Sequence, residues 1–170
     1  MTPVLVLVGA PGSGKTTVGG LVAQRLGVGF RDTDVDVEHT AGKTVADVFI
    51  DDGEAAFRSF EREAVAAALR EHDGVLALGG GAVLDPATRD ALTGHRVVWL
   101  EVGLADATKR VGLARERPVL ALNPRATLAK LLAKRAPHYE AVADTRVHTD
   151  GRTPEDVAAE VAAFAAVEPR

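Results

Sequence analysis

Three observations predict an α/β fold, a parallel sheet covered by helices on both faces. Short apolar runs alternate with segments of helical spacing along the whole chain. The first of these, Val4 to Val8, is continuously apolar, as expected of a parallel strand buried on both sides. That run leads directly into a glycine-rich loop and then into a helical segment.

The elements follow in order. Thr16 to Leu26 places Val18, Leu21, Val22 and Leu26 on one helix face, and Gly27 is positioned as its C-terminal cap. A short second strand is read around Phe30 to Asp32. Thr44 caps a short helix carrying Val45, Val48 and Phe49; Gly53 breaks it, and a longer helix runs from about Glu54 to Arg70. Val75 to Leu78 is the third strand and ends in Gly79-Gly80-Gly81. Asp85-Pro86 reads as a cap followed by proline at the first helical position, and Val97 to Leu100 is the fourth strand, with Trp99 in its core. Residues 112 to 124 show weak periodicity, several charges and two prolines, and read as a mobile loop. Asn123-Pro124 opens a helix to about Ala136, Val147 marks a fifth strand, and Thr153-Pro154-Glu155-Asp156 starts a final helix with a cap, a proline and two acids. No repeat or linker divides the sequence, so residues 1–170 are expected to form a single domain.

Composition narrows the functional classes. With 46% apolar residues and a net charge of -4, the chain is of ordinary globular type and lacks the basic excess of a general nucleic-acid binder. It has no cysteine, which excludes disulfides, thiolate metal sites and thiol redox chemistry. Its five histidines, His39, His72, His95, His138 and His148, show no metal-ligand spacing. Met1 to Val8 has no basic segment ahead of its apolar run and reads as a first strand, not a signal peptide; no stretch is long enough to span a membrane, so a cytoplasmic location is expected. The few aromatic residues favour a monomer.

Gly9-Ala10-Pro11-Gly12-Ser13-Gly14-Lys15-Thr16 satisfies G-x-x-x-x-G-K-[ST] in full, between a strand and a helix as that pattern requires. Glycines let successive backbone N–H groups turn inward around phosphate oxygens, and the following helix directs its positive end at the same anions. Lys15 reaches the terminal phosphates and the Thr16 hydroxyl is suited to ligate Mg²⁺. GTPases, ATPases and small-molecule kinases share this loop. A GTPase is disfavoured because no N-K-x-D segment follows. The magnesium-coordinating aspartate often found at the end of a later strand is replaced by glycines. Asp32-Thr33-Asp34, after the second strand, offers acids at the same sheet edge, although alone it reads better as a solvated turn in which Asp34 or a neighbour caps a helix.

Together with three further segments, that tripeptide resembles shikimate kinase. They are Asp52-Gly53-Glu54-Ala55-Ala56-Phe57-Arg58-Ser59-Phe60-Glu61, Leu78-Gly79-Gly80-Gly81-Ala82 and Lys134-Arg135-Ala136-Pro137-His138-Tyr139. The resemblance runs from Val4 to about Val157. It implies a P-loop fold of the nucleoside-monophosphate-kinase type with a five-stranded parallel sheet, a lid loop at about 112–124 and a substrate-binding region at about 33–61. It implies transfer of the ATP γ-phosphoryl group to the 3-hydroxyl of shikimate, with Mg²⁺, on the route to chorismate and the aromatic amino acids. ATP and shikimate are thus the expected partners, with neither nucleic acid nor membrane.

On the resemblance, Lys15, Asp34 and Arg117 are catalytic, and Gly12, Ser13, Gly14, Lys15, Thr16, Thr17, Arg110, Arg117, Arg152 and Pro154 bind ATP. Asp34, Arg58, Gly79, Gly80, Gly81 and Arg135 bind shikimate, while Thr16 ligates the metal and Asp32 holds a water of its shell. The chemistry suits these assignments. A ring carboxylate calls for the planar fork of arginine, and hydroxyls call for a carboxylate acceptor. Arg117 precedes Pro118-Val119-Leu120 in a segment resembling the family's lid, where an arginine stabilises the moving phosphoryl group. Structural alternatives stand beside each reading. Arg58 has Glu54 and Glu61 at ion-pair spacing on its own helix, Arg135 sits where a helix end favours a cation, the glycines form a tight turn, and Arg110 and Arg152 read equally as surface charges. Another small-molecule kinase of this fold, acting on gluconate or a nucleoside monophosphate, is the alternative enzyme; a non-catalytic nucleotide-binding regulator is the alternative outside enzymology.

Overall fold

The computed structural model describes residues 2–112 and 124–167. Five parallel strands, β1 (Leu5–Val8), β2 (Phe30–Asp32), β3 (Val75–Ala77), β4 (Val97–Glu101) and β5 (Thr145–His148), form one sheet in the order β2-β3-β1-β4-β5. Each expected strand is present. Helices α1 (Lys15–Leu26), α2 (Thr33–Ala41), α3 (Val45–Glu71), α4 (Pro86–Ala91), α5 (Leu104–Gly112), α6 (Pro124–Val142) and α7 (Pro154–Ala166) connect or flank them.

β1 is buried along its length, and its side chains alternate between two cores. Val6 and Val8 join Leu76, Trp99, Leu128 and Tyr139 on one face; Leu5 and Leu7 join Val18, Val22, Val157 and Val161 from α1 and α7 on the other. Each such aliphatic side chain contributes about 1.5–3 kcal/mol by leaving water, which explains why the innermost strand carries no polar residue. A third, smaller cluster of Val37, Val48, Phe57 and Ala64 fastens α2 to α3.

Several boundaries match the local chemistry read from the sequence. Gly27 ends α1 in the left-handed region, Thr44 Oγ1 accepts the Asp47 N–H at 3.1 Å, and Thr153 Oγ1 accepts the Asp156 N–H at 3.1 Å. Gly53 interrupts α3 with φ 85° and ψ 172°.

Three segments go beyond the elements named above, and at the first of them the alternative in which a neighbour of Asp34 caps a helix holds. The Asp32-Thr33-Asp34 turn is the start of a helix, α2, and the capping residue is Asp32, whose Oδ1 accepts the Asp34 N–H at 2.9 Å. Only Thr33 and Val37 of α2 are buried, too few to make a legible apolar stripe. α5 occupies a stretch for which no helix was read; its buried contact reduces to Ala107, with Leu104 and Val111 partly covered. α6 continues through Pro137 to Val142 instead of stopping near Ala136. Packing of Leu128, Leu131, Leu132 and Tyr139 on the sheet keeps it helical across a residue that cannot donate to the preceding turn.

The register positions the site. Leu7 pairs with Ala77, and Asp32 pairs with Ala77 from the other side, so β1, β3 and β2 deliver their following loops to one sheet edge. That is the carboxyl edge, where α/β sheets bind ligands.

Candidate active site

The loop after β1 is pre-formed around a cation. Gly12 and Gly14 have φ of 81° and 88°, values an L side chain rarely adopts, and the turn they permit closes the loop. The Lys15 ammonium donates to Gly9 O at 2.6 Å and Ala10 O at 3.1 Å. Gly14 stands at the N-cap of α1 without a side-chain cap, so the helix turns its first N–H groups toward the loop interior. The Ser13 side chain is buried; Thr16 and Thr17 lie exposed in the first turn.

Asp32 joins this loop to α2. Its Oδ2 accepts the Thr16 hydroxyl at 2.8 Å while Oδ1 caps the helix. The cap fixes the carboxylate, and the carboxylate in turn fixes the hydroxyl. The two oxygen groups therefore stand next to each other at the mouth of the phosphate loop.

Glycines 79–81 form a floor on which four charged side chains converge. A side chain on Gly79 would fall 2.6 Å from Asp34 Oδ1 and 2.7 Å from Glu61 Oε2. One on Gly80 would lie 3.3 Å from Arg135 Nη1 and 3.1 Å from Pro11 of the phosphate loop, and one on Gly81 would collide with the Arg58 guanidinium. The triplet is thus glycine because two carboxylates and two guanidiniums occupy the space that side chains would take. Buried Thr33 accepts the Gly79 N–H through Oγ1 at 3.1 Å and holds the floor to α2.

Arg58 makes the intrahelical pairs that the sequence offered as its alternative role, with Glu61 at 2.8 Å and Glu54 at 3.6 Å. It also lies against Gly81, so the two readings describe one geometry. Glu61, 3% exposed, was visible in the sequence only as an ion-pair partner. Burial pushes its carboxyl above the usual carboxylate range; Arg58 opposes that shift and Asp34 adds to it. Arg135 is displaced below its usual value, again chiefly by burial.

The raised Glu61 value has a consequence for stability. A carboxyl whose folded pKa lies above its unfolded one adds stability at pH below the unfolded value and loses it as pH rises through the folded value. Relative to wild type, Glu61→Gln is therefore expected to gain thermal stability from pH 4 to pH 8, on the order of 2–4 °C for each kcal/mol of relieved burial. Melting curves at several pH values would check this; a gap that moves the other way would mean that the Arg58 pair outweighs the burial.

On the far side of the phosphate loop, Arg110 donates to Gly12 O at 3.0 Å and to Thr149 O at 3.1 Å, tying the loop to the turn between β5 and α7. Arg152 lies on that same turn, bonded to His148 O at 2.9 Å and paired with Glu160 at 2.6 Å, and Pro154 opens α7 beside it. Arg117 lies outside the described residues. Two side chains that sequence reasoning left without a role, Glu61 and Tyr139, reach the glycine floor; for Tyr139 the sequence signal was its place four residues after Arg135, one helical turn away.

The arrangement combines a polyphosphate cradle with an adjacent pocket that offers acceptors for hydroxyls and cations for a carboxylate. Comparison with known proteins gives the family. The family model for shikimate kinase matches residues 11–166. A shikimate kinase of Salinispora arenicola is 65% identical over 166 residues, covering 98% of this chain and 99% of its own length. One from Salinispora tropica is 65% identical over 164 residues, covering 96% and 98%. Among solved structures, shikimate kinase from Acinetobacter baumannii in complex with shikimate superposes with a TM-score of 0.91 at 32% identity, covering 96% of this chain and 92% of that one.

Proposed function

The chain belongs to the shikimate kinase family, and from that premise we propose how its residues divide the work of moving the γ-phosphoryl group of ATP to the 3-hydroxyl of shikimate. The observation that carries the proposal is the convergence of Asp34, Glu61, Arg58 and Arg135 on Gly79–Gly81, directly beside the phosphate loop.

ATP lies with its phosphates in the loop of Gly12, Ser13 and Gly14, its terminal oxygens meeting the Lys15 ammonium and the first N–H groups of α1, including those at Thr16 and Thr17. Arg110, Arg152 and Pro154 flank the nucleotide's far end, with arginine suited to stack on a base. Shikimate lies on the glycine floor, its carboxylate held by Arg58 and Arg135 and its ring hydroxyls by Asp34. The 3-hydroxyl oxygen attacks the γ-phosphorus, the bond to the β-phosphate oxygen breaks, and ADP departs. Asp34 orients the hydroxyl and accepts its proton. Lys15 and Arg117 stabilise charge on the transferring group.

Thr16 and Asp32 form an all-oxygen pair whose groups stand 2.8 Å apart, which suits a hard cation. Among the described residues no cluster of three or more His, Cys, Asp or Glu is gathered to hold an ion unaided. The donor set therefore fits Mg²⁺ that arrives with nucleotide phosphates and keeps several waters. When bound, Mg²⁺ neutralises charge on the β- and γ-phosphates. Thr16 would hold it directly and Asp32 through water.

No helix among the described residues is long and apolar enough to cross a membrane. A cytoplasmic monomer is the proposed working form, supported by the 4% aromatic content.

The test is ADP release by the purified protein with ATP and Mg²⁺, offering shikimate, gluconate, mixed nucleoside monophosphates or water alone. Release with shikimate only is the expected result. Release with gluconate or a nucleotide would move the chain to another acceptor, and ATP binding without release would point to a regulatory role.

A further inference from the structure

We propose that Tyr139 is a positioning residue for the acceptor's carboxylate, acting through Gly80 and Arg135. The inference rests on the reading of Arg135 as the group that binds that carboxylate. Tyr139 is 1% exposed, and its hydroxyl donates to Gly80 O in the middle of the glycine floor. Arg135, four residues earlier on α6, directs Nη1 at the same glycine. Its guanidinium is close enough to Tyr139 for the phenol to oppose the effect of burial on its charge.

A guanidinium offers only donors and a carbonyl only accepts, whereas a phenol does both and can serve the two at once. With Gly80 O held toward α6, the planar trans peptide turns the Gly81 N–H to the opposite side. One hydroxyl thereby sets a backbone donor's direction and the orientation of a cationic fork. The ring is itself fixed against Trp99, with centroids 5.7 Å apart. Phenylalanine would fill the same volume, yet a buried hydroxyl carries a desolvation cost that phenylalanine avoids. The carbonyl that this hydroxyl holds and the guanidinium beside it both belong to the glycine floor, so its use is positional.

The test compares wild type with Tyr139→Phe on shikimate and on an analogue whose carboxylate is reduced to a hydroxymethyl group. Tyr139→Phe is expected to raise KM for shikimate about 10-fold, with kcat and KM for ATP within about 2-fold. On the analogue the two proteins should converge, because the group that Tyr139 helps to place has no carboxylate to meet. If wild type discriminates between the two acceptors and Tyr139→Phe discriminates equally well, the inference fails. If wild type does not discriminate, the carboxylate reading of Arg135 fails first and takes this inference with it.

Should Tyr139→Phe fold poorly, a second measurement decides. The chain has a single tyrosine, so biosynthetic 3-fluorotyrosine gives one ¹⁹F resonance. That resonance should shift on saturation with shikimate and stay in place with the hydroxymethyl analogue. No shift with shikimate would overturn the proposal.

Discussion

Lys15→Ala is expected to lower kcat for shikimate phosphorylation by about 10³-fold, with the protein melting close to wild type. Removing one preorganised donor from a developing oxyanion typically costs about 10²–10³ in rate, and Lys15 brings a full charge as well. In the structure its ammonium spans the loop between Gly9 O and Ala10 O, where the proposal above places the terminal phosphates. Alanine is an excellent helix former at the start of α1, so the scaffold is not expected to suffer. Single-turnover kinetics with saturating ATP and shikimate, run beside a thermal melt, measures both parts. Turnover within about 10-fold of wild type would remove Lys15 from the chemistry.

Arg135→Ala fails differently. It is expected to raise KM for shikimate by about 100-fold and to leave nucleotide affinity nearly unchanged, as expected when one member of a desolvated, charge-assisted pair is lost. Arg135 lies against Gly80, whereas the Lys15 ammonium lies within the loop after β1, bonded to Gly9 O. Its removal also leaves the Glu61 carboxyl with one cation fewer nearby, which should draw its proton on more tightly. Isothermal titration with ADP and steady-state kinetics with varied shikimate separate the two substrates. Equal loss of nucleotide affinity in the Lys15 and Arg135 variants would contradict the division of the site into a phosphate side and an acceptor side.

The sequence by itself determined whatever depends on neighbours along the chain. The phosphate loop is legible because strand, glycines, lysine and helix start lie within a dozen residues, and its geometry is a local backbone property. The three inner strands β1, β3 and β4 are legible because parallel strands buried on both faces are apolar runs, whereas the edge strands β2 and β5 carry Arg31, Asp32, Arg146 and His148 and are legible chiefly from their place between helices. The caps at Thr44 and Thr153 and the break at Gly53 follow from single residues with strong local preferences.

Only the tertiary structure decided the rest, because the deciding contacts join residues remote in sequence. α2 carries too little apolar periodicity to declare itself and is held by packing against α3; α5, by contrast, sets Leu104, Ala107 and Val111 at helical spacing, a signal present in the sequence that the reading above does not use. α6 passes through Pro137 because side chains before and after it are anchored on the sheet, a tertiary gain that exceeds the local helix penalty. Thr33 meets Gly79 across 46 positions and Tyr139 meets Gly80 across 59. Arg58 has local partners that explain it fully until folding also lays it over Gly81. Hydrogen bonds and ion pairs between residues remote in sequence leave no periodic trace, so the charges that converge on the glycines could be grouped in advance only through resemblance. Their common meeting point on three glycines follows from the fold.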